Sequence, residues 1–356
     1  MESLRIDEDK YLVEDFKFQS GETLPATWLH YTTLGTLQQS VEADGTLRSN
    51  AVLILHGTGG SGSGFLTPDF AGVLFTPGGL LDSSEYFIIL PDGVGHGRSS
   101  KPSEGLRARF PQYTYDDMVQ LQYLLLTQHL QIHHLRLVMG TSMGGMHTWI
   151  WGYTFPNFMD ALMPLASLPV MIAGLNRMRR KIILDALTRE PGYAGGDYSS
   201  QPPGLADALG ILREMTAAPR ALQREFSTRE AADAHLAAYI ARGLEAQDAN
   251  DMIYAYASSR DYNPEFQLER ILAPLVAVNS ADDVVNPPEL GVMEANIGRV
   301  PRGRYVLIPV SDATRGHGTH SLAKIWEHEL RQLLSTSERA SRRSFISAAG
   351  LFRVFR

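Results

Sequence analysis

The chain reads as an α/β protein: a mostly parallel sheet flanked by helices, with a helical cap inserted late. Three observations lead there. First, apolar runs of strand length recur: ATWLHYTTLG (26–35), AVLIL (51–55), YFIIL (86–90), LRLVM (135–139), ALMPLA (161–166), LVAVN (275–279) and YVLIP (305–309). Several are continuous rather than alternating, as expected of strands covered by helices on both faces. Second, helical patterns lie between the runs, and alternating strands and helices build parallel sheets. Third, the alternation stops from about 167 to 267, where Ala, Leu, Arg and Glu dominate.

Each element has its own warrant. YDDMVQLQYLLLTQHLQ (115–131) follows Thr114, with Asp117 three residues on, a capping-box start for a helix. GMHTWIWGYTF (145–155) is apolar nearly all round, as a helix packed inside the layers must be. SLAKIWEHELRQLL (321–334) is amphipathic and is expected to close the fold. The stretch 167–267 reads as several helices around a Gly/Pro/Ser-rich loop, REPGYAGGDYSSQPPG (189–204). The expected organisation is a core of 1–166 and 268–336, a helical cap of 167–267, and a basic tail of 337–356 past the last helix, frayed or serving as a docking arm.

Composition removes several function classes. The chain has 356 residues, 44% hydrophobic and 20% charged, ample for a large core. Its net charge of −7 argues against a nucleic-acid partner. It holds no cysteine, which excludes disulfides, thiolate metal sites and cysteine nucleophiles. The N-terminus MESLRIDEDKYLVEDF lacks a basic then apolar signal pattern, and no apolar stretch approaches the roughly 18 residues of a bilayer span. A cytoplasmic protein with no membrane partner is expected. His133-His134 are too close in sequence to chelate from one helical face, and no His-Glu-x-x-His occurs, so no metal is expected.

The chemistry gathers around Gly140-Thr141-Ser142-Met143-Gly144. Gly-x-Ser-x-Gly alone is a weak signal. Here it follows a predicted strand and opens a predicted helix, the context of a nucleophile on a sharp turn whose neighbours must lack bulk. A serine hydroxyl needs a base, and the base needs an orienting acid. In this architecture they follow in the order serine, acid, histidine, after late strands. VAVNSADDVVNPP (276–288) offers Asp282 and Asp283; VLIPVSDATRGHGTH (306–320) offers His317 and His320. Asp283 lies four residues before Pro287, a pattern that resembles the acid turn of many α/β hydrolases and so favours it, and His317 is favoured by flanking Gly316 and Gly318, which let a loop bring the ring close. Asp282 and His320 stay as alternatives. LILHGTGGSGSGF (53–65) resembles the His-Gly-x element of α/β hydrolases, which implies the backbone amides of Thr58 and of Met143, the residue after the serine, as oxyanion donors. His56 is expected to shape that loop. LPDGVGHGRSSKP (90–102) reads as a structural turn, with His96 as a loop anchor.

These pieces together resemble the α/β-hydrolase fold, which implies an eight-stranded sheet. A narrower resemblance is to homoserine O-acetyltransferases. GTSMGGMHTW (140–149) is similar to their Gly-Gly-Ser-Met-Gly-Gly-Met-Gln elbow. YFIILPD (86–92), DDMVQLQ (116–122) and the cap stretch 180–215 are similar to their fourth strand, elbow-preceding helix and cap. The chain departs in two places. It has DGVGHGRSS where that family has Asn-x-x-Gly-Gly, and Gly-His-Gly where the family has Gly-His-Asp. The resemblance implies that Arg180 and Tyr198 contact substrate and that the chain pairs as a homodimer through its cap.

The expected function is hydrolysis of a small ester or thioester through an acyl-enzyme on Ser142, with no cofactor. One alternative is an O-acetyltransferase moving acetyl from acetyl-CoA, then a co-substrate, to a homoserine-like alcohol. Another is a ligand receptor with an idle triad.

Overall fold

The computed structural model describes residues 4–42, 45 and 47–351, with side chains as far as 337. Among them, eight strands form one sheet in the order β1-β2-β6-β5-β7-β8-β9-β10. These are β1 (Ile6–Lys17), β2 (Thr23–Leu34), β5 (Ala51–Leu55), β6 (Phe87–Pro91), β7 (Leu137–Thr141), β8 (Leu162–Leu165), β9 (Leu275–Ser280) and β10 (Gly303–Ile308). A separate short hairpin pairs β3 (Gln39–Val41) with β4 (Leu47–Ser49). β1 runs antiparallel to β2 and β2 antiparallel to β6. The remaining pairs are parallel. The mostly parallel α/β expectation therefore holds.

The continuous apolar runs have the anticipated cause. In β5, Leu53 and Leu55 join the core on one face of the sheet while Val52 and Ile54 join the core on the other. Successive side chains of a strand point to opposite faces, so a doubly covered strand needs both sets apolar. One face is packed by α2 (Tyr115–Leu124) and α3 (Met143–Thr154), which carry the buried Leu121, Trp149 and Trp151. The other is packed by α1 (Ala71–Leu74) and by α10 (Ala323–Leu351), which brings Trp326, Leu330 and Leu333.

The Thr114–Asp117 capping box is present at the start of α2, which ends in a π-helical turn over Leu125–His129. Between β8 and β9 lie α4 (Gly174–Thr188), α5 (Gly204–Met215), α6 (Pro219–Glu225), α7 (Arg229–Ala246) and α8 (Ala249–Ala257). They share an apolar cluster that includes Ile183, Leu187, Leu205, Leu209 and Met252. The short α9 (Val292–Asn296) precedes β10.

Two expectations change. The alternation rule missed β1, because it is an edge strand exposed over most of its length and rich in Asp, Glu and Lys. Charge on an edge strand discourages pairing with other chains. The last helix does not stop before 337 but runs to Leu351. No proline interrupts it and its first glycine is Gly350, so no helix stop exists earlier. Most of the expected tail 337–356 is thus helix; residues 352–356 lie outside the described residues.

Candidate active site

Ser142 sits between β7 and α3 with φ 55° and ψ −113°. A non-glycine residue there is strained, by roughly 1–3 kcal/mol, and persists only where its surroundings enforce it. They do. A Cβ on Gly144 would lie 1.9 Å from the Leu55 carbonyl oxygen, and one on Gly140 would lie 2.2 Å from that of Gly144. α3 therefore docks directly on strand backbone, and the elbow has no room to relax.

His317 and Asp283 converge on this serine. His317 Nε2 is 2.8 Å from Ser142 Oγ, and Nδ1 is 2.8 Å from Asp283 Oδ2. An ionised carboxylate only accepts, so Nδ1 carries the proton and Nε2 is the lone pair facing the hydroxyl. Asp283 is buried. It also accepts from the Val285 N–H at 2.8 Å and from Asn286 Nδ2 at 3.1 Å. Burial pushes its pKa up. His317 and these hydrogen bonds outweigh that and hold it below the usual carboxylate value.

The alternatives have different places. Asp282 accepts from Thr314 Oγ1 at 2.8 Å and from the Gly316 N–H at 3.1 Å, so it anchors the loop that carries His317. His320 faces His317 edge-on at 5.4 Å between ring centroids, and among the side chains of the described residues it bonds only Ser321 Oγ. Desolvation and neighbouring His317 push its pKa down to about 3.

Thr58 lines the cavity in front of Ser142. Met143 is the first residue of α3, so its N–H is one of those a helix leaves without an intrahelical acceptor. The loop between β5 and α1 is pinned from behind. His56 Nδ1 bonds the Gly57 carbonyl at 2.9 Å, and Nε2 accepts from the Gly93 N–H at 3.0 Å. Those partners fix a neutral ring protonated on Nδ1, and burial lowers its pKa accordingly. Asp92 Oδ1 accepts from the Gly62 N–H at 2.7 Å; Oδ2 accepts from the Arg98 N–H at 2.9 Å and bonds His30. The turn 90–102 is thus structural. His96 bonds the Val94 carbonyl and packs on His56.

Of the two cap residues, one reaches the serine's cavity. Arg180 lines it, is 3% exposed, and has no carboxylate partner among the described residues. It donates to Asn176 Oδ1 at 3.0 Å and Ser259 Oγ at 3.2 Å, and lies 5.3 Å from the Tyr256 ring. Tyr198 does not line the cavity. Its hydroxyl donates to Asp248, the N-cap of α8, at 2.8 Å and accepts from the Asn250 N–H. The Gly-x-Tyr match thus marks a residue that holds the cap together.

The cavity measures about 540 Å³, and α5, α6 and α7 supply walls that sequence patterning did not single out: Arg213, Glu225 and Tyr239. α6 is tied to the histidine loop by ion pairs. Asp312 meets Arg220 at 3.1 Å and Arg224 at 3.0 Å, and Arg315 meets Glu225 at 3.3 Å. A Cβ on Gly316 would lie 2.7 Å from the Ala217 carbonyl oxygen, so the loop and the entry to α6 touch through backbone.

The chain is similar to a homoserine O-acetyltransferase of Thermobifida fusca, 33% identical over 219 residues, covering 57% of this chain and 55% of that protein. It therefore spans about half the length of that relative. It is similar to a probable acyltransferase of Methanothermobacter thermautotrophicus, 28% identical over 88% of this chain and 93% of that one. An acetylester hydrolase structure from Corynebacterium glutamicum superposes with a TM-score of 0.78 at 20% identity, covering 92% and 96% of the two chains, a likeness of fold. Residues 50–311 match the family model of the alpha/beta hydrolase fold. With three quarters of its length inside that match, the chain belongs to the α/β-hydrolase family.

Proposed function

We propose that the protein is a serine-dependent acyl enzyme that hydrolyses a small ester or thioester. Ser142 Oγ attacks the carbonyl carbon as His317 Nε2 takes its proton. The carbonyl π bond opens to an oxyanion, held by the Thr58 and Met143 amides. The oxyanion collapses, the bond to the leaving oxygen or sulfur breaks, and His317 returns the proton to that atom. Water, deprotonated by the same ring, then cleaves the acyl-serine and restores the hydroxyl. Asp283 keeps the imidazole in one tautomer and stabilises its charged form. The chemistry calls on no cofactor.

The observation that carries this reading is the unbroken chain from Ser142 through His317 to a buried, ionised Asp283. The hydrolase-type turn DGVGHGRSS, in place of the acetyltransferase Asn-x-x-Gly-Gly, favours water as acceptor. Transfer to a homoserine-like alcohol is the second reading. The relatives named above and Arg180, a buried cation suited to an amino acid's carboxylate, favour it.

The test loads the protein with 4-nitrophenyl acetate and follows the acetyl group with and without homoserine. Free acetate at an unchanged rate is the hydrolase result. O-acetylhomoserine appearing at the expense of acetate establishes the transferase. Ser142→Ala is expected to lower kcat by roughly three to six powers of ten. A loss below tenfold removes the serine from the mechanism and leaves a binding role for the scaffold.

A further inference from the structure

The charged groups lining the cavity are three guanidinium groups, Arg180, Arg213 and Arg315, and one carboxylate, Glu225. Glu225 is taken by Arg315 at 3.3 Å. Glu214, next in sequence to Arg213, is taken instead by Arg179 at 2.7 Å. Arg180 and Arg213 are thus two cations on the wall of one cavity with no carboxylate partner among the described residues. The chain as a whole carries −7, so this is a local reversal of charge.

The neighbours of Arg213 hold it without neutralising it. Its Nε donates to His235 Nε2 at 3.0 Å, and its guanidinium lies 5.7 Å from the Tyr239 ring. An Nε2 that accepts belongs to a neutral imidazole. Burial and the adjacent Arg213 lower the His235 pKa, in keeping with that state. The imidazole anchors the guanidinium through Nε beside the Tyr239 ring, and its two Nη groups have no protein acceptor among the described residues. A planar fork fixed in this way binds a carboxylate through two parallel hydrogen bonds.

We propose that Arg213 is a second anion-binding point in the cavity, so that the substrates of this enzyme carry two acidic groups, one held at Arg180 and one at Arg213. The substrate class is an ester or thioester that keeps two free acidic groups, the second of them on a dicarboxylic acyl chain or on a hydroxy-acid alcohol half. This rests on the reading of Ser142 as the acyl-accepting nucleophile. The second acidic group comes from one of two sources, the far end of the acyl chain or the alcohol half.

Calorimetry decides the site independently of turnover. Succinate and glutarate are titrated into the wild-type protein beside butyrate and valerate, which match their chain lengths and carry one charge. The better dicarboxylate is expected to bind roughly 10- to 100-fold more tightly than its partner. Arg213→Gln should erase that margin and Arg213→Lys should keep part of it. Equal binding of the two classes by the wild-type protein overturns the proposal, as does a margin that survives Arg213→Gln.

Kinetics then identify the source. A kcat/KM ratio favouring mono-4-nitrophenyl glutarate over 4-nitrophenyl valerate, lost in Arg213→Gln, places the group on the acyl chain. A flat ratio, with acyl transfer from the neutral ester to malate outpacing transfer to butanediol, places it on the alcohol. If no ester is turned over while the dicarboxylate margin stands, the acyl-enzyme reading fails and the anion site remains.

Discussion

Gly144→Ala tests the elbow most directly. The added Cβ would meet the Leu55 carbonyl oxygen at 1.9 Å and the His56 carbonyl oxygen at 2.9 Å, both backbone. Real Cβ atoms essentially never come within 3.0 Å, so α3 must retreat from β5 by at least about 1.1 Å, the difference between 3.0 and 1.9 Å. Overpacking of this kind costs about 1–3 kcal/mol. Each kcal/mol lowers Tm by at most roughly 2–4 °C in a chain of this size. The kinetic effect is larger than the thermal one. Ser142 is joined to α3 through one peptide bond and moves with it, and a displacement near 1 Å costs about 100-fold in rate. Hydrolysis of 4-nitrophenyl acetate, measured beside a thermal melt, separates the two. A folded variant, melting a few degrees low, with kcat down about 100-fold, is expected. A kcat within twofold of wild type at an unchanged Tm would refute the account of a helix seated on strand backbone.

Other expectations follow from the site and the cap. Asp283→Asn should lower kcat by roughly 10⁴-fold, because an amide permits the wrong imidazole tautomer; kcat against pH, with circular dichroism as a check on folding, measures it. The folded pKa of Asp283 lies below its unfolded value, so its contribution to stability is complete above about pH 4 and drains away as pH falls through the folded value. Thermal melts between about pH 5 and pH 2 should therefore steepen for wild type relative to Asp283→Asn. We also propose the homodimer that the family resemblance implies. Leu175, Met178 and Ile182 support it, lying three and four residues apart on α4 and 54%, 62% and 49% exposed. Wild type should sediment as a dimer and Met178→Asp/Ile182→Asp as a monomer; a wild-type monomer excludes the pairing.

What was legible in the sequence depended on whether a residue's task shows in its own neighbourhood. The central strands were, because burial on both faces leaves a continuous apolar run. The elbow was, because the close approach of α3 to β5 demands glycines flanking one serine. β1 was not, since an exposed edge strand has the composition of a loop. Asp283 was preferred to Asp282 on its spacing to Pro287 alone, because two neighbours of one type differ in nothing else. Only the turn sends one carboxylate to the imidazole and the other to the backbone of the histidine loop. Tyr198 lies away from the serine's cavity; a motif match does not say which way a ring faces. Arg213 left no signal, since α5 is amphipathic whichever residues border the cavity.

The contacts between α6 and the loop after β10 bear on how such an enzyme can be altered. Arg220 and Arg224 meet Asp312, Glu225 meets Arg315, and Ala217 leaves no space for a side chain at position 316. Specificity and reactivity are therefore not separable modules in this molecule. A cap grafted from another member of the fold brings a foreign α6 against the native 309–318 segment and shifts His317 along with the pocket. Recombination that changes substrate range without losing turnover has to carry both segments as one block, although some eighty residues of sequence lie between them.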